Sequence, residues 1–462
     1  MSYITLIQLI VMLFASSLFP QTTGTISQSK IDSLINYIKK DFFIPGIAVA
    51  VIHNHSVIIK KSYGFADLEE KIPVTDTTLF NIGSISKMLT AWGVMKLVQD
   101  GRLNLDEPAE RYLLRWQFPP SEYDTRKVTI SRLLSHTAGL SLSGYPGFES
   151  LDNLPTLEES LAGKTNGVGA VYLKAEPGLT YSYSGGGFTI IQLIIEEVTG
   201  QRFEDYMQEN ILKPLGMKYS TFTQKDKNEF RSKALPYNGD GQQIPDRKFR
   251  AVAAAGFQST LTDMINLAKA ELNFSGNSQV LTHESLLSMQ QITAPAKSYG
   301  LGHQIRRYDG MAVVGHVGSN KGWTSHIEVI PATGDGIIIL TNSNAGFFIH
   351  NILVCEWLKQ TLNTTWQKEF CLSVPRSRFD FLRDDLDFLI NNVEGKETEM
   401  EKLKSYLSLA EETFKQGDYS KTKSHLDAFK TLASETANNS TIDRLIYMST
   451  LIINEIMYYY LN

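Results

Sequence analysis

The stretch Phe80-Asn81-Ile82-Gly83-Ser84-Ile85-Ser86-Lys87-Met88-Leu89-Thr90-Ala91-Trp92 decides how the rest of this chain is read. Met88, Leu89, Trp92, Met95 and Val98 recur at helical spacing, which predicts a buried helix over Ser84–Asp100 stopped by Gly101. Ser84 stands at the mouth of that helix. Lys87, three positions on, shares its face, so the amine can reach the hydroxyl. A helix start also offers unpaired N–H donors and a positive dipole end to developing negative charge. Ser-x-x-Lys alone is weak evidence, and it occurs at Ser27–Lys30, Ser84–Lys87 and Ser420–Lys423. Ser27 follows an apolar leader and Ser420 lies among other lysines in the tail. Only Ser84 joins the motif to a buried helix.

Strands are expected on both sides of this helix. Gly46–Ile52 and Val57–Tyr63 read as partners across a His53-Asn54-His55-Ser56 turn. Far downstream, Trp323–Ile330 and Gly336–Thr341 flank Pro331-Ala332-Thr333-Gly334-Asp335, a turn-rich connector that reads as a hairpin. Between them, from about residue 101 to 290, the pattern is helices and long loops, including Thr129–His136 and Phe188–Thr199 with Gly200 as its stop. Ser259-Thr260-Leu261-Thr262-Asp263 is a helix start. Ile31, Leu34, Ile35 and Ile38 mark one more helix before the first strand. The expected class is α/β (α+β): an antiparallel sheet flanked by helices and built from both ends of the domain, with a helical subdomain inserted. Past Pro375 the composition changes. Residues 376–462 hold no Pro and, as glycines, only Gly395 and Gly417. Leu403, Leu407 and Ala410 share one helical face, Leu426, Phe429 and Leu432 another, and Gly417-Asp418 breaks the run. The expected layout is a leader over 1–22, a main α/β domain over 28–366 and a helical accessory domain over 376–462.

Composition excludes several classes. The 462 residues are 42% hydrophobic and 20% charged, which argues against wholesale disorder. A net charge of −5 argues against phosphate-backbone binding, and the basic cluster Arg247, Lys248 and Arg250, with only Phe249 as an aromatic, reads as a solvated loop. Ile4–Phe19 is apolar apart from Thr5, Gln8, Ser16 and Ser17, short for a span but suited to a signal peptide. No Lys or Arg precedes Lys30, so an uncleaved anchor is the alternative to cleavage. Either way the expected location is periplasmic or secreted. Cys355 and Cys371 allow one bridge, although Cys355 also fits as a small core residue on a helix. His53 and His55 could face one metal, but no carboxylate or third ligand is evident nearby. With no H-E-x-x-H, Walker A, G-x-S-x-G or dinucleotide motif in the chain, neither metal nor cofactor is expected.

Further segments fall in order along the chain: Leu134-Ser135-His136-Thr137-Ala138-Gly139-Leu140, Pro177-Gly178, Tyr183-Ser184-Gly185, Ala253-Ala254-Ala255-Gly256, His316-Val317-Gly318-Ser319 and Gly322-Trp323, ending at Leu340-Thr341-Asn342. With the Ser84 stretch they make residues 28–345 resemble the serine β-lactamase-like hydrolases, the group of class C β-lactamases, D-alanyl-D-alanine carboxypeptidases and related esterases. The resemblance implies a β-lactamase/transpeptidase-like fold with Ser84 as acyl-forming nucleophile. Lys87 would be its activating partner and Tyr183 would share the proton transfer. It also implies that His316 and Gly318 edge the pocket and that the N–H groups of Ser84 and Ser319 form the oxyanion hole. His136 belongs to the pattern and is assigned a structural role in a loop.

Two departures bear on substrate. The family's second motif is usually Tyr-x-Asn, whereas Gly185 stands in the asparagine position and Gly186 and Gly187 follow. The third motif begins with His316 where most true β-lactamases have lysine. A histidine of ordinary pKa, about 6.5, would be mostly neutral at pH 7.5 and would gain charge toward pH 6. The expected function is therefore an exported serine hydrolase that cleaves an ester or amide, with a small ester, a peptide or a cell-wall-derived molecule as substrate. A penicillin-recognising or envelope-binding protein with little turnover is the alternative, and a β-lactamase or D,D-carboxypeptidase the second. No nucleic-acid partner is expected, and the C-terminal helices are candidates for envelope contact.

Overall fold

A run of small and branched apolar residues, Ile47-Ala48-Val49-Ala50-Val51-Ile52, lies in the interior of the sheet and is buried on both faces, as a covered strand requires. It belongs to β1 (Gly46–His53), and in a computed structural model β1 pairs antiparallel with β2 (Ser56–Asp67) on one side. Its other neighbour is the late strand β9 (Asp335–Thr341), with Ile47 opposite Thr341. The remaining members are β3 (Ile72–Pro73), β6 (Gln304–Tyr308), β7 (Met311–Asn320) and β8 (Trp323–Ile330); a separate ribbon pairs β4 (Phe80–Asn81) with β5 (Gln258–Ser259). The seven strands of the sheet run β3-β2-β1-β9-β8-β7-β6, every pair antiparallel. Strands from both ends of the domain thus form one sheet, as the sequence pattern predicts.

The structure describes residues 26–38, 42–225, 232–272, 280–308, 311–362 and 397–436, with Arg383, Leu386 and Ser449 as single residues. The expected leader over 1–22, Cys371 and most of 376–396 lie outside the described residues. Two compact units divide the chain: residues 25–350, and residues 1–24 together with 351–462. Among the described residues no helix is long and apolar enough to cross a membrane.

In the larger unit, α1 (Gln28–Ile38) buries Ile31, Leu34, Ile35 and Ile38, the stripe read from sequence. The helix α2 spans Ser86–Gln99 and is buried on every side from Ser86 to Met95. It begins two residues later than its apolar spacing predicts. Ser84 instead occupies a 3₁₀ turn, Gly83–Ile85, because Gly83 takes a φ of +54° and donates its N–H to Asn81 Oδ1 at 2.9 Å. The short α3 (Ile130–Leu134) is capped by Thr129. The helix α4 spans Gly185–Thr199, is capped by Ser184, and ends at Gly200 in the left-handed region. It starts three residues before the predicted Phe188 because Ser143 O and Leu142 O accept from the N–H groups of Gly185 and Gly186. The turn α5 (Val252–Ala255) and the helix α6 (Leu261–Glu271), capped by Thr260, complete the frame around the site.

The β1–β2 turn carries Asn54 and His55 at φ 45° and 63°. Here the structure corrects one reading, since a carboxylate does lie near: Asp335 Oδ1 meets His53 Nδ1 at 2.7 Å, brought there by β9. Among the described residues no group of three or more His, Cys, Asp or Glu could hold a metal ion. In the smaller unit, Cys355 is disulfide-bonded on α7 (Gly346–Leu362). The helices α8 (Glu397–Lys415) and α9 (Tyr419–Thr436) pack together across a turn at Gly417, φ +77°. Leu403, Leu407, Ala410, Leu426 and Phe429 are buried between them. Ala433 takes the buried place expected of Leu432, which is only half-buried.

Candidate active site

The nucleophile turn is held from three directions. Ser86 Oγ donates to Gly83 O at 2.5 Å and accepts from Phe257 N at 3.0 Å. Asn320, at the end of β7, donates to Asn81 Oδ1 at 2.7 Å and to Ala255 O at 2.9 Å. The third support is an approach that only glycine permits: a Cβ on Gly83 would sit 2.6 Å from Ser319 N. This contact brings β7 against the turn that carries Ser84 and sets the Ser319 amide beside it. Gly318 lies against the Ile82 carbonyl, where a Cβ would come within 1.9 Å. The two residues expected to supply an oxyanion hole, Ser84 and Ser319, are therefore neighbours in space.

Lys87 lies one helical step inside. Its side chain is buried, with Nζ 3.1 Å from Ser84 Oγ and donating to Ala254 O at 2.7 Å. The Nζ also sits 4.9 Å from the ring centre of Tyr183 and 5.7 Å from that of Phe188. Among the described residues no carboxylate pairs with it. Burial therefore acts unopposed and lowers its pKa to about 7, so a large neutral fraction exists near neutrality. Tyr183 moves the opposite way. Burial raises its phenol well above the ordinary range, only partly offset by a hydrogen bond with the Ser84 side chain. Ser84, Lys87 and Tyr183 thus meet at one point, with an amine able to accept a proton and a phenol that keeps its own.

His316 faces the same pocket from β7, but its chemistry differs from the sequence expectation. Burial first, then the charge on Lys87, lowers its pKa to about 3. It is neutral at pH 7.5 and stays neutral at pH 6, so the expected gain of charge toward pH 6 does not occur. Gly185 also proves to be more than a missing asparagine. A Cβ there would stand 3.0 Å from Ser143 O and 3.4 Å from the Tyr145 ring, a tight fit that would require the 141–145 loop to give by a few tenths of an ångström.

Three residues that the sequence reading did not place in the site line it. Tyr299 hydrogen-bonds His316 Nε2 at 2.9 Å. Tyr181, 42% exposed, stands 5.9 Å from the Tyr299 ring and forms an aromatic rim. Its signal was available, since it precedes Tyr183 by two positions in an extended segment and so shares its side. His136 lies in the loop after α3, as read, but its ring centre is 4.1 Å from that of Tyr183. It accepts the Ser184 N–H on Nδ1 at 3.0 Å, which places its hydrogen on Nε2, and it holds a φ of +59°. Burial, then Lys87 and His316, lowers its pKa well below the ordinary value, so this ring too is neutral.

Comparisons with known proteins place the fold that carries these residues. The family described as Beta-lactamase matches residues 32–352. Protein flp of Staphylococcus aureus strain MW2 is 27% identical over 329 residues, 70% of this chain and 64% of the relative. The chain thus spans less than two thirds of that relative's length. Among solved structures, the octameric penicillin-binding protein homologue from Pyrococcus abyssi aligns with a TM-score of 0.61 at 28% identity, over 75% of this chain and 82% of that one. The D-amino acid amidase from Ochrobactrum anthropi SV3 aligns with a TM-score of 0.57 at 25% identity, over 68% and 91%.

Proposed function

This chain belongs to the beta-lactamase family, and from that premise we propose that it is an exported acyl-serine hydrolase whose substrates are neutral esters or amides rather than β-lactams. The observation that carries the chemistry is Lys87 Nζ, held 3.1 Å from Ser84 Oγ with a pKa lowered to about 7. The neutral amine takes the Ser84 proton as Oγ attacks the substrate carbonyl carbon. The N–H groups of Ser84 and Ser319 receive the charge on the carbonyl oxygen. When the tetrahedral adduct collapses, the Lys87 proton passes through the Tyr183 hydroxyl to the departing alkoxide or amine. Water then takes the place of the leaving group, and the same pair handles its proton to release the acid and restore Ser84.

The preference for neutral substrates is supported by an uncharged His316, a crowded Gly185 and the Tyr181 rim, none of which offers a cation to a carboxylate. Export is supported by the apolar run Ile4–Phe19 and by the disulfide at Cys355, a bond at home in oxidising compartments. The test has two stages. A fluorophosphonate probe should label the protein at Ser84, and nitrophenyl butyrate should then be cleaved with a higher kcat/KM than nitrocefin at pH 7.5. Labelling without turnover would instead mark a penicillin-recognising binding protein, and faster nitrocefin cleavage would return the protein to the β-lactamases.

A further inference from the structure

His316 occupies the place from which a cationic side chain would meet a substrate carboxylate, yet both its ring nitrogens are engaged. Nδ1 lies 2.6 Å from Val317 O, which can only accept, so Nδ1 carries the hydrogen and Nε2 is left as an acceptor. Tyr299 Oη meets that acceptor at 2.9 Å and donates to it. The Tyr299 phenol keeps its proton, since burial and then the neighbouring Tyr183 and Tyr181 push it well above the ordinary range. For Nε2 to become protonated, the Tyr299 O–H would have to swing its hydrogen to another acceptor and receive the Nε2–H instead, inside a core that leaves Tyr299 only 1% exposed to water.

We propose that Tyr299 is a positioning residue that locks His316 in a neutral, non-donating tautomer and thereby sets the site against carboxylate-bearing substrates. The groups facing His316 are Lys87 from α2, His136 from the loop after α3 and Tyr183 from the segment before α4. Tyr299 and His303 face it from the segment before β6, and His326 from β8. No carboxylate is among them. Lys87, His303 and His326 act on His316 through their charge alone, whereas Tyr299 fills the one atom where a proton would add.

The substrate part of this inference rests on the hydrolase reading, but the tautomer does not, and the experiment separates the two. Long-range ¹⁵N spectra of the histidine rings, recorded from pH 8 downward, should show His316 as the Nδ1–H tautomer with no titration above pH 5. In Tyr299→Phe, which keeps the ring and removes the hydroxyl, the Nε2 resonance should move and the His316 midpoint should rise by about one unit or more. For the kinetic arm, kcat/KM is measured for a neutral nitrophenyl ester and for one with a terminal carboxylate. Comparison with the wild type at the same pH cancels the charge on Lys87. The variant's preference for the anionic ester should then increase at least about threefold when measured at the variant's own raised His316 midpoint, and adding His316→Gln should erase that gain. A wild-type ring carrying its hydrogen on Nε2, or a Tyr299→Phe protein matching the wild type in both midpoint and preference, overturns the lock. Should Tyr299→Phe fail to fold, His316→Gln alone decides: a neutral His316 predicts an anionic-to-neutral ratio within about twofold of wild type, and a charged one predicts its collapse. If the wild type cleaves neither ester, the hydrolase reading fails and the spectra alone judge the tautomer.

Discussion

Lys87 and Trp92 stand on one helix, yet the regions around them treat buried charge in opposite ways. On the Lys87 side no carboxylate answers the amine, and burial drives both Lys87 and His316 toward their neutral forms. On the Trp92 side Glu271 is fully buried but saturated. It accepts from Trp92 Nε1 at 2.7 Å and from Gln290 Nε2 at 2.8 Å, and meets His303 Nε2 at 2.9 Å. His303 Nδ1 also faces a carbonyl, Leu301 O, at 2.7 Å. With an acceptor at each nitrogen, both must carry hydrogens, so His303 is an imidazolium. Burial alone would lower its pKa, but the charge and hydrogen bond of Glu271 outweigh this and raise it. Burial likewise pushes Glu271 up, and His303 with the other donors pulls it below the ordinary range. The segment Tyr299–His303 serves both regions, sending Tyr299 to His316 and His303 to Glu271. What separates a reactive pocket from a structural one here is a single withheld counter-charge.

If that contrast is right, substitutions on the two sides should fail differently. The largest effect falls on Ser84→Ala, which should lower kcat/KM by about 10⁴-fold or more and abolish probe labelling. Its melting temperature should stay close to wild type, because one half-buried hydroxyl contributes little to stability. Persistent labelling would relocate the nucleophile. Next is Lys87→Met, expected to lose about 10²–10⁴ in rate while resisting denaturant better at pH 6. The sign follows from linkage. The folded pKa of Lys87 lies below its unfolded value, so the unfolded chain binds more protons between pH 7 and 10.5. Wild-type stability therefore gains as pH rises through that window, and the Met variant should lose that slope. An unchanged slope would mean Lys87 is charged in the native state.

On the other side, Glu271→Gln should cost about 3–5 kcal/mol by stranding a buried imidazolium, measured by urea unfolding at pH 7. Its kcat at low temperature should change by less than about threefold. A rate loss larger than the stability loss would show that the two regions are coupled. The smallest effect is in the pH profile. Below pH 7 kcat/KM should fall about tenfold per unit as Lys87 gains its proton, with no second bend near pH 6 because His316 does not titrate there. A bend at pH 6 would break the contrast from the His316 side.

The four candidate site residues were legible because each sits in a local pattern: Ser84 and Lys87 on one helical face, Tyr183 just before a capped helix, and His316 two residues from a glycine that close packing demands. The sheet was legible for a similar reason, since fully apolar runs such as Ile47–Ile52 and Ile337–Leu340 can only be covered strands. The Glu271 cluster was not legible, because Trp92, Glu271, Gln290 and His303 come from four separate segments and none has a local motif. Tyr299 was missed on the same ground. Its hydroxyl matters only through His316, and His316 taken alone reads as a histidine of ordinary pKa.

The sheet order has a consequence for timing. The interior strand β1 has β9 as one of its two neighbours, and Ser84 depends on β7 for the amide set beside it. Both partners are synthesised long after the residues that wait for them. A chain emerging from its N-terminus must therefore hold β1 with one edge open, and Ser84 without an assembled pocket, until the hairpin of β8 and β9 appears. Long-range closure of this kind is intrinsically slow. The late strands β7, β8 and β9 therefore set Ser319 beside Ser84 and close the open edge of β1 in one stretch of synthesis.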